Sequence, residues 1–261
     1  MKVKKSKKNQ KEEENFEKEI KETVEILEEI YDEKKMELWN IKEIEYILKF
    51  FQKDFSKKKI KINPLFLKEI LKELTVKYTN KEYNSFDFGI FLSSIINWTL
   101  IHSQEKKEIK INLDLKNLPD LKGIGFRNQQ RSFLVVNGDV GDLFVSQMEG
   151  GKVILNGSAQ DLAGKEMKNG KVEISGNVGN WLAEKMRGGR VVVKGNAGRW
   201  TGKEMKDGIL IINGSVSSFD KTIFSFSNKG VVFWQEEKIF EKGKITKKGE
   251  ILKSKSLFKI E

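Results

Sequence analysis

NGDVGDLFVSQMEGGKVIL (residues 137–155), NGSAQDLAGKEMKNGKVEI (156–174), SGNVGNWLAEKMRGGRVVV (175–193) and KGNAGRWTGKEMKDGILII (194–212) follow one another without a gap, each nineteen residues long. Glycine fills the second place of every row, at Gly138, Gly157, Gly176 and Gly195, and returns at Gly214. It also fills the fifteenth place, at Gly151, Gly170, Gly189 and Gly208. Met148, Met167, Met186 and Met205, four of the chain's six methionines, share the twelfth place, which composition bias does not produce.

A nineteen-residue unit with one short strand cannot bury its own apolar face, so the copies must stack on each other. The strand is VIL, VEI, VVV or LII, aliphatic at the seventeenth and nineteenth places and tolerant of Glu173 at the eighteenth, an inward, outward, inward pattern. Parallel pairing of successive strands then piles identical places into columns. GG, NG, GG and DG at the fourteenth and fifteenth places accept positive φ and mark a corner; the second place marks another. The fifth place, with Gly141, Gly179 and Gly198 but Gln160, marks a looser third. Methionine at place twelve and Val or Ala at place four fill the interior. Place ten reads Ser146, Lys165, Glu184, Lys203 and place eleven Gln147, Glu166, Lys185, Glu204, so signs alternate down both columns as stacking requires.

Upstream the pattern is helical. Phe16, Ile20, Val24, Leu27 and Tyr31 form one amphipathic stripe, and a second helix is expected from Trp39 to Phe55 with Ile44, Ile47, Leu48 and Phe51 inward. Asn63 and Pro64 start a third, carrying Leu67, Ile70, Leu71 and Leu74. SFDFGIFLSSIINWTLIHS (85–103) is apolar enough to be the centre of that layer. Alternation begins at Ile109, and Pro119, Gly123 and Gly125 mark irregular backbone before the strand FLVV (133–136). The expected fold is α+β: a right-handed parallel β-helix of four nineteen-residue coils plus partial coils, preceded by an α-helical region. Its segments are a basic disordered tail (1–11), a helical domain (12–104), a strand linker with a first partial coil (105–136), the repeat (137–233) and a C-terminal cap (234–261). The helical layer with FLVV is expected to cover one end of the stack, and IFSFSNKGVVFWQEEKIF (223–240) the other.

Composition excludes several chemistries. Without cysteine there is no thiolate nucleophile, disulfide framework or cysteine-ligated metal. No apolar stretch is long enough to span a bilayer, so a soluble, cytoplasmic protein with no membrane partner is expected. The net charge of +11 is spread thinly, with an excess of one over residues 1–60, four over 61–136, two over 137–212 and four over 213–261. Specific nucleic-acid binding is therefore disfavoured.

GRWTGKE departs from a phosphate-binding loop, which needs four residues between its glycines and Ser or Thr after Lys. Asp142 and Asp161 share a column that Asn180 and Arg199 continue, so no repeated calcium site arises. Asp139, Asp142 and Asp161 could serve a carbohydrate-cleaving site, but they fall at turn places that favour Asp and Asn for backbone reasons. His102, the sole histidine, ends a helix where the dipole favours it, and has no second histidine for a metal pair. Place seven runs Leu143, Leu162, Trp181, Trp200, Phe219. Trp181 and Trp200 either fill the core, the preferred reading, or face outward beside Arg187 and Arg199 as a candidate partner face.

The rows GNVGNWLAEKMRGGRVVVKGNAGRW and GKEMKDGILIINGS resemble the GXGXG repeat domain, over residues 123–233. That domain closes the large subunit of glutamate synthase and forms most of one subunit of the formylmethanofuran dehydrogenases. The resemblance implies a right-handed β-helix without catalytic, cofactor-binding or metal residues, acting as scaffold beside redox or amidotransfer modules. It implies protein subunits of a larger complex as partners, and no cofactor held by this chain. The helical region does not resemble the N-terminus of the formylmethanofuran dehydrogenase subunit that carries the repeat, and the flavin- and iron–sulfur-binding parts of glutamate synthase are absent. The functional expectation is a non-catalytic scaffold or interaction subunit associated with such an oxidoreductase. The alternative is a stand-alone β-helix enzyme acting on carbohydrate or acyl substrates.

Overall fold

The computed structural model describes residues 7–32, 44–78, 85–118, 120–254 and 261. Its elements are α1 (Lys7–Asp32), α2 (Ile44–Lys57), α3 (Leu67–Tyr78), α4 (Ser85–His102), β1 (Ile109–Asp114), β2 (Ser132–Asn137), β3 (Lys152–Asn156), β4 (Lys171–Ile174), β5 (Arg187–Val193), β6 (Asp207–Ile212), β7 (Val231–Trp234), β8 (Glu237–Glu241), β9 (Lys244–Ile245) and α5 (Lys247–Ser254). All nine strands belong to one sheet in sequence order, parallel from β1 to β7 and antiparallel from β7 to β9. This is a parallel β-solenoid with helices before it.

The nineteen-residue step is the register of the ladder. Val153 pairs with Val172, Val172 with Val191 and Val191 with Leu210, and Leu134 precedes Val153 in the same column. A second wall is a chain of single parallel bridges at place four, Val140 to Ala159 to Val178 to Ala197 to Val216. The interior is what the columns predict: Met148, Met167, Met186 and Met205 are at most 1% exposed, and places seventeen and nineteen are buried throughout. β1 already pairs with β2, so residues 109–136 form a coil of the solenoid, where a strand linker with a first partial coil was expected. The repeat is harder to recognise there because Ile111 and Leu134 stand further apart in sequence than the later pairs.

Two causes fix the glycine columns, and only one of them follows from residue type. At the corner, Gly170 and Gly208 have φ of 102° and 105°, which side chains disfavour. Of the place-two glycines only Gly138 has a positive φ; at the others the constraint is close approach. A Cβ on Gly195 would lie 2.5 Å from the carbonyl oxygen of Gly176 in the preceding coil.

The helical layer forms as the stripes predict, with Leu67, Ile70, Leu71 and Leu74 of α3 buried. Asn63 caps the turn ahead of that helix, its Oδ1 accepting the Leu65 N–H at 3.0 Å. Phe51 and Phe55 of α2 are buried; Trp39 to Glu43, and the side chains of Ile44, Ile47 and Leu48, lie outside the described residues. Lys7–Lys11, expected in a disordered tail, instead start α1, since Lys, Gln and the following glutamates are good helix formers. The first six residues and Pro119 lie outside the described ones. Tyr78 donates to Asp32 at 3.2 Å, tying α3 to the end of α1; burial first, then the Asp32 charge, pushes its phenol well above the ordinary range.

The stack is closed at both ends. α4 covers the first coil: Ser93 Oγ donates to the Gly123 carbonyl and accepts from the Gly125 N–H, and Asn97 donates to the Phe126 carbonyl at 2.9 Å. Gly89 permits this contact, because a Cβ there would collide with the Lys122 carbonyl. FLVV lies within β2 as a rung of the ladder rather than as part of the cover. At the other end β7 turns back into β8 and β9, and Phe219, Phe224 and Phe240 pack edge to face. No helix among the described residues is long and apolar enough to cross a membrane.

Candidate functional site

Each coil has a wall, places seven to eleven, that the sequence did not announce. φ is positive at places seven, nine and eleven: Leu143, Val145 and Gln147; Leu162, Gly164 and Glu166; Trp181, Ala183 and Lys185; Trp200, Gly202 and Glu204. L-residues visit this region at a cost, so in isolation the segment would not hold. It holds because its amides are committed across coils. Leu143, Leu162 and Trp181 donate to the carbonyls of Asp161, Asn180 and Arg199, while Gly164 and Gly202 donate backward to Phe144 and Leu182. Only Gly164 and Gly202 at place nine hint at the conformation; the residue types at places seven and eleven do not.

On this wall Trp181 and Trp200 stack with ring centroids 4.9 Å apart and planes 17° from parallel. That separation is the spacing of neighbouring strands, so the indoles are adjacent rungs of one column. Both are half-buried, whereas the core side chains of their coils, such as Leu182 and Met186, are fully enclosed. The preferred core reading is thus corrected: both rings are half-buried on the wall rather than enclosed with the core. Leu162 above them is half-buried as well and Leu143 is enclosed; Phe219, expected in this column, instead pairs with the buried Thr201 at place eight and is enclosed with it. Arg199 is exposed and immediately precedes Trp200; Arg187 is exposed, opens β5 and pairs with Asp207 of β6.

The corner carboxylates have a structural task. Asp139 Oδ1 accepts the Ser158 N–H, Ser158 Oγ that of Asn177, Asn177 Oδ1 that of Asn196, and Asn196 Oδ1 that of Ser215, all between 2.7 and 3.1 Å. A parallel ladder at place six runs from Asp142 to Asp161 to Asn180 to Arg199. Asp142 also meets Lys122 at 2.9 Å. These are side chains tying one coil to the next, as the turn reading of Asp139, Asp142 and Asp161 expects. In the charge columns, Lys165 meets the buried Glu184 at 2.9 Å and Gln147 reaches Glu166 at 3.5 Å.

His102 ends α4, exposed, with one ring nitrogen 2.9 Å from the Trp98 carbonyl and its ring over Trp98 at 3.7 Å, which is the helix-end role anticipated for it. It borders a cleft of about 660 Å³ with Lys59 and Lys61. Another cleft, about 600 Å³, lies between α3 and β1, lined by Lys68, Lys72, Lys116, Asn112 and Asn117. No family model, curated protein or solved structure matches this chain.

Proposed function

We propose that this protein is a non-catalytic scaffold subunit that docks a partner protein on the place-seven wall, and that the partner is a redox or amidotransfer subunit of the kind served by GXGXG domains. The observation that carries the reading is the Trp181–Trp200 stack, two large rings stacked and half-buried on a regular wall. Stacked indoles offer large contact area with little side-chain entropy left to lose, the property of an interface anchor. The corner Asp and Asn side chains are occupied as acceptors for backbone amides, which favours a scaffold over a carboxylate-based glycosidase.

Leucine already occupies the same place in two coils, at Leu143 and Leu162, so W181L/W200L keeps the solenoid while removing the anchor. Affinity purification from the native organism should recover a stoichiometric redox or amidotransfer subunit with the wild-type chain and lose it with the variant. Recovery of the same subunit by both would remove the face; recovery of none would remove the scaffold reading.

A further inference from the structure

Stacking redistributes the charge that looked even along the chain. Within the four coils, the corner segments at places thirteen to sixteen read EGGK (149–152), KNGK (168–171), RGGR (187–190) and KDGI (206–209). They hold Lys152, Lys168, Lys171, Arg187, Arg190 and Lys206 against Glu149 and Asp207, whereas the rest of residues 137–212 is net acidic. Lys229 stands in the next coil at the place of Asp207, one residue before Gly230, and its N–H bonds the Lys206 carbonyl at 2.7 Å. Register makes place sixteen a true column: Lys152 pairs with Lys171 and Lys171 with Arg190. Lys168, Lys171, Arg187, Arg190, Lys206 and Lys229 are exposed, and Lys152 lies over the Phe133 ring at 4.8 Å.

Two features set this corner apart from the other charged columns. Places ten and eleven alternate in sign, as a solenoid stabilised by its own charges should; place sixteen stacks Lys152, Lys171 and Arg190 about 4.8 Å apart, which is unfavourable for the isolated molecule, while at place thirteen Lys168 meets Glu149 and Arg187 pairs with Asp207. The nearby acids do not offset most of it. Glu149 meets Lys168 and Arg127, Glu173 is held by Lys194 at 2.6 Å, and Asp207 Oδ1 accepts the Gly208 N–H. Glu166 and Glu204 stand two places before Lys168 and Lys206, in the alternating column. Between the cation columns the corner consists of glycine, Asn169 and Asp207, so the backbone lies open between two rows of positive charge.

We infer that this corner binds the sugar–phosphate backbone of nucleic acid without reading sequence. A strand of duplex carries a phosphate every 3.4 Å or so, dense enough to meet a cation at each coil whatever its register. Among the described residues the ridge's one ring, Phe133, lies beneath Lys110 and Lys152, so the ridge presents cations rather than an aromatic anchor for a protein partner. This inference stands apart from the partner proposed for the tryptophan wall.

The test is fluorescence anisotropy of the full chain with a labelled duplex of about twenty base pairs, titrated between about 50 and 200 mM salt. The variant K171Q/R190Q should bind more weakly and reduce the slope of log K against log salt by about 1.8, two phosphate contacts' worth. K106Q/K107Q, exposed on the α4–β1 loop, should bind as wild type. The thermal midpoint of K171Q/R190Q should equal or exceed that of wild type, because a like-charge stack has been relieved, so weaker binding cannot be assigned to unfolding. Absence of duplex binding at about 50 mM salt, or equal loss in both variants, would overturn the inference. So would binding to polyglutamate or phosphatidylserine vesicles in place of the duplex.

Discussion

Asn177 Oδ1 accepts the backbone N–H of Asn196 at 2.8 Å, nineteen residues on in sequence and one coil on in space. The same bond recurs above and below it, so each corner residue serves the coil that follows. N177A removes one such bond at an exposed site and should cost about 1 kcal/mol, read as a lower urea midpoint with an unchanged m-value.

The two glycine constraints predict opposite outcomes for one substitution. G195A drives a methyl against the Gly176 carbonyl and Asn177 Oδ1, both 2.5 Å from the added Cβ, and should cost about 3 kcal/mol by forcing neighbouring coils apart. G164A meets nothing closer than Val191 at 3.6 Å, and Ala183 already holds the same left-handed conformation one coil on. It should change stability by less than about 1 kcal/mol, the φ cost being offset by a stiffer unfolded chain.

These glycines also mark what the sequence could and could not say. The period, the strand positions, the methionine and valine columns and the corner at place fifteen were legible because each depends on residue type recurring at a fixed interval. The left-handed wall was not: glycine stands at place nine in only two coils, Gly164 and Gly202, and Leu, Trp, Gln, Lys and Glu at places seven and eleven carry no sign of positive φ, which bonding between coils imposes. That Trp181 and Trp200 are half-buried rather than enclosed was hidden too, since place seven holds both enclosed and half-buried side chains. The basic ridge was hidden differently: summing charge along the chain averages over places that register later separates. α1 starting at Lys7 reflects local propensity outweighing the expectation from a lysine-rich terminus.

Glu173 gives the solenoid an acid limit. Its hydrogen bond from Lys194 outweighs desolvation and, with the charges of Lys194 and Lys152, holds its carboxyl below the ordinary 4.5. At Glu149 desolvation is the largest single influence, but bonds from Lys168 and Gln129 and the charges of Lys168 and Arg127 exceed it together and lower that carboxyl too. A depressed folded value means stabilisation that is present above 4.5 and lost as pH falls from there through the folded value. Urea midpoints of wild type and E173Q should therefore differ most near neutrality and converge in acid; a gap that widens in acid would contradict the assignment.

Removing residues 219–261 deletes β7, β8, β9 and α5 and leaves β6 as an open parallel edge. The truncated chain should aggregate on size-exclusion chromatography. A monodisperse monomer would mean that the hairpin and its Phe219, Phe224 and Phe240 cluster are not the cover of the stack.

The central claim is the nineteen-residue register, on which the tryptophan stack, the corner ladders and the basic ridge all depend. The chain has no cysteine, so one introduced pair reports on it cleanly. Lys171 and Arg190 are Cα partners on adjacent strands, at a separation of about 4.8 Å that a disulfide can span. K171C/R190C should cross-link within the monomer under mild oxidation, while K171C/I209C, two coils apart at about 9.6 Å, should not. Cross-linking of the second pair but not the first would contradict the stack, and with it every column described above.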